Sequence, residues 1–150
     1  MPEAPGVHAA RQVLAFDFGQ RRIGVACGDT VSATATPLAA VLAGPGGQHW
    51  PAIGALVRDW QPALAIVGLP YNVDGTESDM TSAARAFADE LAARYSLRVE
   101  LVDERYSSLE AHERLKDARE SGLRKRRIGK TDIDAAAACI ILERWITENS

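Results

Sequence analysis

Residues 15–26, AFDFGQRRIGVA, decide the fold. From Val13 the chain reads VLAFDFG, a compact apolar run ending in an acid and a glycine, and RRIGVACGD follows after a turn of only a few residues. Two such runs back to back predict a β-hairpin. Asp17 ends the first run, and the glycines on either side of the following QRRI permit a tight turn and close backbone approach. An isolated Asp-x-Gly reads equally well as a turn aspartate bonding its own loop. The apolar strand behind Asp17 shifts the reading toward function, because a carboxylate is costly to bury without a cation.

Outward from the hairpin, SATATPLAAV (32–41) alternates small and β-branched residues and predicts a third strand, with Pro37 near an edge or an end. After the loop AGPGGQ, residues His49 to Trp60 put Trp50, Ile53, Leu56, Val57 and Trp60 at helical spacing, and Gln61-Pro62 stops the helix. ALAIVGL (63–69) has no polar interruption, as expected of a parallel strand covered on both faces, and it empties into the polar loop PYNVDGTESD. Thr81 to Tyr95 is helical in pattern and Leu97 to Asp103 is another strand, so a βαβ crossover follows. Ser107 and Glu110 have capping-box spacing for a helix reaching about Glu120, and Thr131 with Asp134 resembles the start of a last helix ending near Trp145.

Three antiparallel strands followed by alternating helices and parallel strands make an α/β domain, with a mixed five-stranded sheet flanked by helices. Residues 1–11 mix Pro, Gly, Ala and charge without periodicity and read as a flexible extension, leaving 12–150 as a single domain. The 150 residues, 47% of them hydrophobic, suffice for one real core.

The net charge of -3 does not advertise nucleic-acid binding, so any attraction to phosphate must come from local basic clusters or bound cations. Cys27 and Cys139 sit in apolar segments and suit reduced thiols. No run approaches the roughly 18 apolar residues of a membrane span, and the first residues lack the apolar core of a secretion signal. A cytoplasmic protein that does not contact membrane is the expectation.

Two further acidic features join Asp17. In VELVDERYSSLEA (99–111), Asp103 and Glu104 end a predicted parallel strand, at the edge where open α/β sheets place their ligands. A solvated Asp-Glu-Arg turn, with Arg105 pairing one acid, explains the triplet as well. In KTDIDAAAACIILERW (130–145), Asp132 and Asp134 are two apart, so at most one points into a site. An acid in a first helical turn is favourable toward the dipole in any case. Ala135 to Ala138 would let this helix lie close to the sheet. Converging acids repel one another unless Mg²⁺ or Mn²⁺ binds between them.

Arg119, Arg124, Lys125, Arg126, Arg127 and Lys130 cluster before the last helix, where they could grip a negatively charged strand or form a solvated loop. Tyr71, Asn72, Asp74, Gly75 and Thr76 offer an aromatic face and amide and hydroxyl groups for sugar-phosphate contacts or base stacking. His8, His49 and His112 fit no ligand spacing, and Trp50, Trp60 and Trp145 fall at core-like helical positions.

The segments AFDFGQRRIGVA, IVGLPYNVDGTES, DERYSSLEA and DIDAAAACIILE, in this order, closely resemble the bacterial YqgF family, also called RuvX, known as pre-16S rRNA nucleases; WQPALAIVGLP is similar too. The resemblance covers Val13 to Glu143. It implies a ribonuclease H-like fold related to Holliday junction resolvases and a metal-dependent acidic triad from the first strand, the DER strand and the final helix. Those positions are Asp17, Glu104 and Asp134, with Asp132 left as a cap or outer ligand.

The implied activity is a nuclease with Mg²⁺ or Mn²⁺, in a two-metal arrangement if both ions bind. The implied partner is nucleic acid: precursor 16S rRNA first, with ribosomal association, and branched DNA second. Arg105, Arg124, Lys125, Arg126, Arg127, Lys130, Tyr71 and Asn72 would hold the strand. Resolvase action would need a dimer, whereas trimming one RNA end would not. An actin-type ATPase also places Asp-x-Gly after a first strand, but it needs a second phosphate loop and a second lobe that this length excludes. A non-catalytic RNA-binding module using the basic loop alone would not need intact acids at all three positions.

Overall fold

The computed structural model describes residues 12–44, 46–72, 74–104 and 130–149. The hairpin forms as β1 (Gln12–Phe18) and β2 (Arg22–Asp29), with Asp17 opposite Gly24 and Phe18 opposite Ile23. β3 (Thr34–Leu42) adds to β2 antiparallel, with a register shift at Val25/Ala26. It lies at the edge of the sheet, where Pro37 costs no ladder bond on the open side. β4 (Leu64–Leu69) runs parallel to β1, and β5 (Val99–Asp103) parallel to β4, giving the order β3-β2-β1-β4-β5. All six residues of β4 are buried, as its unbroken apolar run predicts.

Three helices cover the sheet among the described residues: α1 (Trp50–Trp60), α2 (Asp79–Tyr95) and α3 (Lys130–Glu148). Strand side chains alternate between faces. Leu14, Phe16, Val25 and Val67 pack with Trp50 and Ile53 of α1 and Phe87, Ala88 and Leu91 of α2. Val13, Ala15, Ala26 and Ile66 pack on the other side with Ala138, Ile141, Leu142 and Trp145 of α3. Cys27 and Cys139 lie in these two separate clusters and form no disulfide.

Local chemistry moves several boundaries. Ser78 and Thr81 form a capping box, so α2 starts at Asp79 and Thr81 is its third residue, its hydroxyl donating to the Pro70 carbonyl at 3.0 Å. Ser96 takes a left-handed φ of 50° and Leu97 N–H bonds back to Ala92, so β5 begins at Val99, not at Leu97. α3 runs past Trp145 to Glu148. Trp50 and Trp145 are core residues at 7% exposure, but Trp60 is 38% exposed. It is the last residue of α1. Residues 1–11 and the Ser107–Glu120 helix lie outside the described residues.

Candidate active site

β1 delivers Asp17 to the α3 face. Alternation from Val13 and Ala15 puts its side chain on that side, and the same alternation brings Arg22 and Gly24 of β2 and Gly68 of β4 to the same face. The two glycines permit close approach. A Cβ on Gly24 would overlap the main-chain carbonyl oxygen of Asp134, so glycine is what lets the first turns of α3 lie directly beside Asp17. A Cβ on Gly68 would meet Ile141 Cδ1 at 2.5 Å and Glu104 Cγ at 2.8 Å. Ala135 and Ala138, both buried, keep α3 low over the sheet.

The three acids are in unlike environments. Burial first, and the neighbouring Asp134 charge second, raise the Asp17 carboxyl to about 7. Asp134 accepts a hydrogen bond from Arg22 Nε at 2.6 Å in a pair whose side chains are about a quarter exposed. Glu104 follows β5, where its N–H donates to the Leu69 carbonyl at 2.9 Å; its side chain is 2% exposed and faces Arg144 Nε at 3.6 Å. Asp103, one residue earlier, is exposed. The acid of this pair that turns inward is therefore Glu104.

Carboxylate oxygens are the donors a hard divalent cation takes, and a half-buried acid raised by desolvation and then by an acidic neighbour is what such a cation would relieve. In donor chemistry and charge, Asp17 and Asp134 fit. Yet among the described residues no three acid, histidine or cysteine side chains are gathered closely enough to hold a metal as they stand. Asp134 is held by Arg22, and Glu104 lies across Gly68 toward Arg144. Each flanking acid would have to turn from its arginine to join Asp17.

The predicted strand-holding residues divide. Tyr71 is half-buried and its hydroxyl accepts from Arg85 Nη2 at 2.8 Å, while Arg85 also reaches Glu77 at 3.2 Å. Asn72 donates from Nδ2 to Thr76 Oγ1 at 2.9 Å, and Asp74 accepts from the Thr76 hydroxyl at 2.6 Å, so part of this loop's polarity is used to fix its own shape. Lys130 opens α3. Arg105, Arg119, Arg124, Lys125, Arg126 and Arg127 lie outside the described residues, as does the side chain of Asp132.

Sequence reading passed over Arg22 and Arg144. A signal for Arg22 exists: counting back two from Gly24 puts it on the face of Asp17. Arg144 had none, because a basic residue near the end of a helix is common for dipole reasons alone.

The family model described as "RuvX: Holliday junction resolvase" matches residues 11–148. A protein of Yersinia pestis (strain Pestoides F), named "Putative pre-16S rRNA nuclease", is 45% identical over 142 residues, covering 95% of this chain and 99% of that one. A protein of the same name from Yersinia pseudotuberculosis serotype IB (strain PB1/+) is 44% identical over the same shares. Among solved structures, Thermus thermophilus RuvC in complex with a Holliday junction substrate superposes with a TM-score of 0.54 at 14% identity, covering 93% of this chain and 95% of that one. The yeast mitochondrial Holliday junction resolvase Ydc2 gives a TM-score of 0.55 at 10% identity, covering 91% and 78%. The fold is thus the ribonuclease H-like fold of the resolvases, and the chain belongs to the RuvX (YqgF) family of nucleases.

Proposed function

We propose that this chain is a divalent-metal-dependent nuclease of the cytoplasm that hydrolyses phosphodiester bonds of precursor 16S rRNA at its 5′ end, in association with the ribosome, with Asp17, Glu104 and Asp134 as its metal-holding acids. The observation that carries the reading is the Asp17 carboxyl, enclosed at a strand end beside a second acid and raised to about 7. A carboxyl that burial and a like charge make costly to ionise is one that a cation received there would stabilise in its charged form. The chemistry a bound Mg²⁺ or Mn²⁺ supplies at such a site is activation of a water and neutralisation of the leaving oxygen.

The chain's own residues do the rest. Asp17 and Asp134 place oxygen donors over the end of β1, and Glu104 supplies a third from β5. Arg22 and Arg144 balance the two flanking acids until the site is charged, and are then placed to meet phosphate. Lys130 and the basic residues before it, with Arg105, Tyr71 and Asn72, would hold the strand on either side. Replacing Asp17 by Asn should abolish Mn²⁺-dependent cleavage of precursor rRNA with far-ultraviolet dichroism unchanged. Cleavage at the parent's rate by that variant, purified free of host nucleases, would remove Asp17 from the site.

The family description and the two resolvase folds favour a second substrate, a four-way DNA junction. Assaying single-stranded RNA, precursor rRNA and the junction side by side, with the Asp17 variant as blank, separates the two. A dimer in solution would accompany the junction reading.

A further inference from the structure

Behind the acid turn, on the opposite face of the sheet, lies a cavity of about 390 Å³ lined by Phe18, Gln20, Ala43, Gly44, His49 and Ala83. Its position ties it to the candidate active site. Phe18 is the next residue after Asp17, so the carboxyl and the ring leave one strand end in opposite directions. Gln20 sits on the three-residue turn that forms the rim between them. The carboxyl ends of β1 and β4 are where open α/β sheets receive ligands.

The lining has the makeup of a site for a flat, partly polar molecule. Phe18 stacks on Phe87, with centroids 5.0 Å apart and planes 30° apart, and Phe87 stacks in turn on Trp50 at 5.3 Å and 18°. Of these three rings, Phe18 is the one that lines the cavity. His49, at 8% exposure, brings a buried imidazole whose Nδ1 has no hydrogen-bond partner; it holds the N-cap position of α1 without making a side-chain cap bond. Buried polar atoms left in this way need an explanation, and a ligand is one. Exposed Gln20 adds an amide, both donor and acceptor, at the mouth. Ala43, Gly44 and Ala83 supply no bulk and leave the space open.

We infer that this cavity receives one unstacked nucleobase of the strand whose phosphate lies over Asp17, with Phe18 as the stacking wall and the His49 and Gln20 side chains reading its polar edge. The inference rests on the nuclease reading and sharpens its substrate class. A base within a duplex is stacked and paired, so the cavity selects strands with an unpaired nucleotide beside the scissile phosphate. Base–aromatic stacking tolerates any base, and the polar groups at the edge are what could favour one.

The test uses the full chain with Ca²⁺ or EDTA, so that cleavage plays no part, and a short single-stranded RNA carrying one 4-thiouridine. Photocrosslinks mapped by mass spectrometry should fall on Phe18, Gln20 or His49. Ala83→Phe, which fills the cavity from α2, should weaken binding of the single strand about tenfold, the loss of one stacked base, and leave binding of a blunt duplex unchanged. Gln20→Ala, at an exposed position, should weaken it less and change the preference among bases. Crosslinks confined to the α3 face, or a folded Ala83→Phe variant that binds the single strand as the parent does, would overturn the inference. If the parent bound no strand of any kind, the nuclease reading itself would fall, which is a different result.

Discussion

Asp17 and Phe18 are consecutive residues at the end of one strand, and the two sides they face are built on opposite principles. On the α3 side, Gly24 and Gly68 strip the sheet of side chains, the helix backbone descends to fill the gap, and the polar groups are paired across it. On the α1/α2 side, aromatic rings stack in series and leave a cavity at their end. One side spends its space on bringing charges together; the other keeps space in reserve. Close approach positions groups for chemistry, whereas an unfilled apolar volume serves recognition.

This contrast breaks first at Gly24. Gly24→Val should lose at least about 3 kcal/mol of stability in urea, because the added carbons meet main chain and α3 must lift as a unit. The Ala83→Phe variant, on the roomy side, should lose less than about 1 kcal/mol in the same titration. Equal losses would mean that the two faces are packed alike.

The second difference is electrical and shows in pH dependence. Asp17 has an ordinary carboxyl value of 3.8 when unfolded and about 7 when folded, so between these limits the native state holds the extra proton. Its contribution to stability is fully present below 3.8 and is lost as the pH rises through 7. In metal-free buffer the parent should therefore melt lower at pH 8 than at pH 5 through this group. Asp17→Asn should remove that part of the slope and gain about 2 kcal/mol at pH 8, less than the full shift because Asp134 shares the interaction. Added Mn²⁺ should raise the melting temperature of the parent at pH 8 and not that of the variant. An unaltered pH slope in Asp17→Asn would mean that the carboxyl is not held in this environment.

The same contrast explains what the sequence could disclose. Strand alternation and an unbroken apolar run made β1, β2 and β4 readable, since each pattern has one physical source. The alanines of α3 foretold its close approach to the sheet, but not which glycine would receive it, because Gly24 is chosen by a register that is set across strands. Asp17 was legible as an acid ending an apolar strand. Glu104 and Asp134 were set apart from Asp103 and Asp132 by family resemblance, since adjacent acids look alike until a face is assigned. The cavity was not legible at all: Phe18, His49 and Ala83 come from three separate elements, and His49 looked like a histidine without partners in sequence. An exposed Trp60 misled for the converse reason, as helical spacing does not tell where the neighbouring elements end.

The smallest expected effect is the most discriminating about the charged face. Arg22 and Asp134 are each about a quarter exposed, so solvent screens the pair and Arg22→Gln should change stability by no more than about 1 kcal/mol. The informative readouts are affinities. If Arg22 occupies Asp134 in place of a cation, removing its charge leaves the site more negative, and calorimetry should show Mn²⁺ binding several-fold more tightly. On the nuclease reading, in which Arg22 meets the strand's phosphate, the same variant should bind single-stranded RNA several-fold more weakly and with a shallower salt dependence. Weaker Mn²⁺ binding in Arg22→Gln would instead mean that the arginine orients Asp134 for the metal. In that case the charged face is fixed in advance by the hairpin itself, and only the apolar face waits for its ligand.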